Sequence, residues 1–179
     1  MDQNIYLAAP FFNEPQREVV TLLEAMIERH GHTCVSPRKG HASKAAATGT
    51  MTRERAEAIL DQNVGDLRSC SMVFAVLDYH LPQGDHIGLL EAARPINPDQ
   101  PEGIPNGYRL KRTISIPDQG VLWELGYAYA CRKPVVLFQR DSNMHLNVMI
   151  GRTAWASIVG LDAAAEFLAT LNTWTGSEV

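Results

Sequence analysis

Met72-Val73-Phe74-Ala75-Val76-Leu77 is an unbroken apolar run that stops at Asp78. A strand with one wet face alternates polar and apolar side chains. A short continuous run closed by a charge reads instead as a strand buried on both faces, the pattern of a parallel sheet. Outward from it, residues 4–9 (Asn-Ile-Tyr-Leu-Ala-Ala, broken by Pro10) and 134–138 have the same character, and residues 33–36 and 154–159 supply two shorter strands. Helical patterns lie between them. Pro15 opens one in which Val19, Leu22, Leu23, Met26 and Ile27 recur at helical spacing until Gly31 stops it. Thr52 caps a second that carries Ala56, Ile59, Leu60, Val64 and Leu67, a third follows Asp118, and a last runs from Leu161 to about Trp174. Strands alternating with helices predict an α/β fold, flavodoxin-like or Rossmann-like. Its doubly wound, mostly parallel five-stranded sheet has helices on both faces. Ligands of such sheets bind beyond the carboxyl ends of the strands. That edge holds Pro10-Phe11-Phe12, Ser36-Pro37-Arg38, Asp78 and the loop after Phe138.

At 179 residues, 45% hydrophobic and 20% charged, the chain reads as a single globular domain over 1–179. A long insertion at about 79–117 interrupts the rhythm and contains six of the ten prolines. A connection of that length is a lid, an interface arm or a mobile insertion. Within it, Leu89-Leu90-Glu91-Ala92-Ala93 is expected to form a helical turn. The net charge of −4, without a basic stripe, argues against nucleic acid as a partner. No apolar run approaches the ~20 residues of a membrane span, so no membrane partner is expected. The opening Met-Asp-Gln-Asn-Ile-Tyr lacks the order of a signal peptide, and a cytoplasmic location is expected. Cys34, Cys70 and Cys131, odd in number and scattered among apolar neighbours, read as reduced, packed thiols.

The chemistry gathers in residues 118–130, Asp-Gln-Gly-Val-Leu-Trp-Glu-Leu-Gly-Tyr-Ala-Tyr-Ala. Glu124 interrupts an otherwise apolar helix, and burying a charge costs several kcal/mol unless it is paired or used. Asp118 stands at the helix N-terminus, where the dipole favours a carboxylate. Two readings stand here: an N-cap aspartate followed by a solvated glutamate, or a pair of working carboxylates. Tyr127 and Tyr129 read as core packing, Gly126 as a close approach of helix to sheet, and Trp123 and Trp155 as interface candidates.

These residues resemble the nucleoside 2-deoxyribosyltransferase family. Ile5-Tyr6-Leu7-Ala8-Ala9-Pro10-Phe11-Phe12 is similar to the family's opening strand and loop. Asp118-x-Gly120-x-x-x-Glu124-Leu-Gly-Tyr-Ala is similar to its catalytic-helix motif, Lys133-Pro134-Val135 to the next strand, and Asn147-Val148-Met149 to its Asn-x-Met segment. The resemblance implies that Glu124 is the nucleophile attacking C1′ of a 2′-deoxynucleoside and that Tyr6 hydrogen-bonds it. It implies that Asp118 binds sugar hydroxyls, that Phe12 packs on the ligand, and that Asn147 and Met149 complete the site of an adjacent protomer. It further implies a homo-oligomer, dimer or higher, and a 2′-deoxynucleoside and a free nucleobase as small-molecule substrates. No cofactor and no metal are implied, and the setting is deoxyribonucleoside metabolism or nucleotide salvage. A covalent glycosyl ester and two inversions, giving retention at C1′, follow the logic of a retaining glycosidase.

Asn63 stands where some relatives carry an aspartate that contacts the base, and an amide is no general acid. Asp61 and Asp66 are read as pointing elsewhere on the helix, so either Asp118 or Asp78 protonates the base or Asn63 binds it without proton transfer. Arg38, at a strand's carboxyl end, is either a ligand contact or a surface arginine. His30 and His32, His80 and His86, and His41 lack the spacing of a metal site. No Gly-x-Gly-x-x-Gly or Walker-type loop follows the first strand, which favours a nucleoside over a nucleotide. Two other functions are compatible with these residues. One is an N-glycoside hydrolase using the same glutamate with water as acceptor; the other is a non-catalytic nucleoside- or nucleotide-binding module.

Overall fold

The computed structural model describes residues 2–40, 51–77, 87–92, 108–114, 118–140 and 146–172. The chain divides into two compact units, Met1–Asp78 with Pro117–Val179, and Tyr79–Ile116. In chain order the elements are β1 (Asn4–Ala8), α1 (Glu14–Arg29), β2 (Thr33–Val35), a 3-10 turn (Pro37–Lys39), α2 (Arg53–Ser69) and β3 (Met72–Val76). They continue with β4 (Ile87–Ala92), β5 (Tyr108–Ile114), α3 (Gln119–Ala130), β6 (Val135–Gln139), α4 (Val148–Thr153), β7 (Ala156–Val159) and α5 (Leu161–Leu171).

The first unit contains a five-stranded, all-parallel sheet in the order β2-β1-β3-β6-β7, a flavodoxin-like α/β fold. From β1 the chain steps to β2 on one side, then crosses to β3 on the other. The strand order therefore reverses between β1 and β3, and a ligand crevice opens at such a switch point. Asn13 caps α1 through a capping box with Gln16, and Gly31, at φ +82°, turns the chain out of that helix. Thr52 caps α2 through a hydrogen bond from the Arg55 amide.

Period-two alternation sorts the strand residues onto two faces. Ile5, Leu7, Met72, Phe74, Val76, Val136 and Phe138 join Val19, Val20, Leu23 and Ile27 of α1 and Ala164, Leu168 and Leu171 of α5 in one buried apolar cluster. The intervening residues, among them Tyr6, Ala8, Val73, Ala75, Val135 and Leu137, are as deeply buried on the opposite face. There α3 packs on β1, β3 and β6, and α2 packs on β1.

Two helix patterns are corrected by this packing. Leu22 is exposed, while Val20 and Glu24 are buried in its place. The buried stripe runs through Val19, Val20, Leu23, Glu24 and Ile27, and Leu22, about 100° before Leu23 on the helix, falls outside it. The same geometry leaves Leu60 exposed, and Leu67 is the buried residue of α2. In the second unit, residues 89–92 are strand rather than a helical turn. They belong to β4, paired antiparallel with β5 from Ile87↔Ile114 to Ala92↔Tyr108, with a register shift at Leu89/Leu90. A five-residue stretch of Leu and Ala around Glu91 is compatible with either state, and the partner strand that decides between them is remote in sequence. No described helix is long and apolar enough to cross a membrane.

Candidate active site

The inward stripe of α3 is Val121, Glu124, Leu125 and Ala128, the spacing by which a helix buries one face. A glutamate occupies one of those core positions and is 7% exposed, which rules out the solvated reading. Its partner comes from the middle of the sheet. Tyr6 is fully buried on β1, on the face that α3 covers, and its hydroxyl donates a 2.6 Å hydrogen bond to Glu124 Oε1. One turn and a half earlier, Asp118 caps α3 by accepting from the Val121 amide at 3.0 Å. A Cβ on residue 120 would lie 3.0 Å from Asp118 Oδ1, so Gly120 leaves room for that cap.

The electrostatics follow from burial. Loss of solvent pushes the Glu124 carboxyl up to about 7; the Tyr6 hydrogen bond pulls it down, and the charge of Asp118 pushes it up again. For Tyr6 the largest cause is also burial, followed by the charge of Glu124 and the hydrogen bond to it. All three raise the hydroxyl far above its ordinary value, so it remains a donor. A desolvated carboxylate that titrates near neutrality, held by a permanent donor, is suited to nucleophilic or acid–base work.

Tyr6, Glu124 and Asp118 thus come together. Asn63 lies half-buried on α2, the helix that shares this face of the sheet. Asp66 is three residues further on, about 60° around the helix rather than away from it. Its charge is a lesser cause of the raised Tyr6 hydroxyl. Phe12 is exposed and stacks on Phe11, with ring centroids 5.3 Å apart. Arg38 is held on the α1 side by Glu24 at 2.5 Å and Thr21 Oγ1 at 2.9 Å. Asn147 caps α4 by accepting from the Met149 amide, and Val148 and Met149 are exposed. Asp78, His41, His80 and His86 lie outside the described residues.

Several secondary readings are corrected. Cys34 and Cys70 are buried, but Cys131 is exposed where it ends α3. Gly126 is exposed and a Cβ there would touch nothing, so its small size is not what brings the helix to the sheet. Tyr129 is exposed too, and Tyr127 is half-buried on the flank of α3, where it binds Arg68. Helical residues three and five after an inward-facing glutamate fall beside the buried stripe, which explains both. His32 is buried, accepting from the Gln3 amide at Nδ1 and donating from Nε2 to the Leu168 carbonyl, a structural tie. Among the described residues no three His, Cys, Asp or Glu side chains gather as metal ligands.

Residues 5–85 match the family model described as Nucleoside 2-deoxyribosyltransferase. No curated protein matches the chain. Among solved structures, a 2-deoxyribosyltransferase from Bacillus psychrosaccharolyticus shares 25% identity at a TM-score of 0.57. The match covers 87% of this chain and 85% of that one. A conserved protein from Enterococcus faecalis V583 is 14% identical at a TM-score of 0.48, covering 96% of this chain and 88% of its own. A CMP N-glycosidase from Clostridium botulinum is 13% identical at 0.48, covering 96% and 100%. Over residues 5–85, a little under half of its length, the chain is thus similar to the nucleoside 2-deoxyribosyltransferase family, and it shares its fold with the Bacillus enzyme.

Proposed function

We propose that the protein transfers a 2-deoxyribosyl group from one nucleobase to another through a covalent ester on Glu124. The observation that carries this reading is the buried 2.6 Å Tyr6–Glu124 hydrogen bond, on a carboxyl that titrates near neutrality. Ionised Glu124 attacks C1′, the C1′–N bond breaks, and its electron pair leaves with the base, which takes up a proton. An incoming base then attacks C1′ from the vacated side through a ring nitrogen that gives up its proton. The ester bond breaks and the carboxylate is restored. Two inversions give net retention.

Asp118 binds the sugar hydroxyls through the oxygen not used in capping, and Asn63 hydrogen-bonds the base. Asp118 or Asp78 supplies the base's proton, and Phe12 and Arg38 border the ligand. Asn147 and Met149 serve the site of a neighbouring protomer in a homo-oligomer; the exposure of Val148 and Met149 beside α3 supports that role. The setting is cytoplasmic deoxyribonucleoside metabolism, nucleotide salvage included, with no metal or cofactor taking part.

The test is incubation with thymidine and free adenine, with Glu124→Ala alongside. Deoxyadenosine formed by the wild type and not by the variant is the expected result. Thymine released without deoxyadenosine, in adenine excess, would replace transfer by hydrolysis on the same glutamate. Failure to turn over any of several donor–acceptor pairs, with nucleoside binding intact in Glu124→Ala, would leave a binding module.

A further inference from the structure

Helices α2 and α3 lie on the same face of the sheet, and Glu124 meets Tyr6 between α3 and β1. Outside that buried pair, the two helices are joined a second time. Arg68 Nε, in the last turn of α2, donates to the Tyr127 hydroxyl at 2.7 Å, and its guanidinium carbon stands 6.0 Å from the centre of the same ring. Tyr127 stacks in turn on Trp123, with centroids 5.4 Å apart and planes 16° from parallel. Lys133, just past α3, donates to the carbonyls of Arg68 and Cys70, which fastens the end of α2 from the same side.

Tyr127 and Trp123 flank Glu124 on the helix, three residues after it and one before. A helix fixed at one side chain can still roll about its axis. Fixed at two faces it cannot, and a roll of a few degrees moves the end of a glutamate by a good fraction of an ångström. A 2.6 Å hydrogen bond between two buried groups leaves little tolerance for that.

We infer that the Arg68–Tyr127–Trp123 stack is a positioning brace: it sets the roll of α3 and so holds Glu124 in register with Tyr6. None of the three touches the reacting atoms in this scheme. The kinetic consequence rests on the glycosyl-transfer reading above; the geometric one does not. Loosening the brace lengthens the Tyr6–Glu124 bond, and because that bond favours the ionised carboxylate, its weakening raises the pH at which Glu124 ionises.

Tyr127→Phe removes only the hydroxyl and keeps the stacking on Trp123. The measurement is the titration of the Glu124 carboxyl by carbon-13 NMR, with Glu124→Gln assigning the resonance. It compares the wild type, Tyr127→Phe, and Arg53→Gln, which breaks an exposed ion pair with Glu57 on the same helix α2. The expected result is an upward shift of the midpoint by roughly half a pH unit in Tyr127→Phe and none in Arg53→Gln. In the transfer assay, kcat falls severalfold at neutral pH with KM nearly unchanged, and the acid limb of the pH–kcat profile moves by the same amount. An unmoved midpoint in folded Tyr127→Phe overturns the brace, however far its melting temperature falls. Should Tyr127→Phe not fold, Arg68→Gln takes its place under the same criteria. A moved midpoint in a protein that transfers nothing keeps the brace and refutes the proposed activity.

Discussion

The two faces of the sheet are built from alternate residues of the same strands, yet they are packed for different ends. On the α1 and α5 side, Ile5, Leu7, Phe74 and Phe138 meet Leu23, Ile27 and Leu168 in an entirely apolar contact. The burial is close to complete, and each group gains free energy in proportion to the area it hides. On the α3 side, one residue along β1, Tyr6 is just as buried but points a hydroxyl at a carboxyl. That arrangement costs desolvation, which one hydrogen bond only partly offsets. The comparison teaches that stability is concentrated on one face of the sheet and chemistry on the other. A single strand serves both because its side chains alternate.

Four measurements test that division, taken from the largest expected effect to the smallest. Glu124→Ala should abolish glycosyl transfer by about three orders of magnitude or more, while the protein stays folded. If transfer survived, the chemistry would lie elsewhere. On the opposite face, Leu23→Ala should cost about 3 kcal/mol in urea denaturation and leave the activity per folded molecule unchanged. A comparable fall in kcat would show that the faces are not independent.

Glu124→Gln separates the two currencies within one residue. The folded carboxyl is raised from 4.5 to about 7, so the native state keeps its proton longer than the unfolded chain. This group's contribution to stability is therefore full below pH 4.5 and lost as pH rises through about 7. The amide should then be more stable than the wild type at pH 8, by up to about 3 kcal/mol, and the gap should close towards pH 4. Equal pH dependence in the two proteins would mean that Glu124 is not desolvated. The smallest effect is expected from Tyr6→Phe. Loss of the donor should reduce transfer at pH 7 by about tenfold and move the acid limb of the rate profile upward, recovering in part at higher pH.

Much of this was legible in the chain. Continuous apolar runs such as 72–77 mark strands covered on both faces, because only a parallel sheet hides both sides of a strand. Thr52 reads as a capping residue, and it caps. An acid in the apolar stretch 118–130 was sufficient to single out Glu124. What the sequence misplaced are cases where local pattern is degenerate. Leu22 and Leu60 are as apolar as the residues beside them, and only the docking angle of the helix decides which one faces inward. Residues 89–92 carry too short a pattern to separate strand from helix without sight of β5. Tyr129 sits one position past buried Ala128 and Cys131 lies at the C-terminal cap of the same helix, differences that composition does not register.

The sequence by itself therefore determined the alternation of the five sheet strands with the long helices, the parallel doubly wound sheet and the presence of a carboxylate in need of a reason. Periodicity and the cost of burying charge are properties of neighbouring residues, and they can be read along the chain. The resemblance implied Tyr6 as the partner of Glu124, and the tertiary structure supplied the contact itself, between residues 118 positions apart. Only the tertiary structure could show that Arg68 reaches Tyr127 across 59 positions. Such contacts are fixed by how helices settle on a sheet, and that packing is a property of the whole molecule.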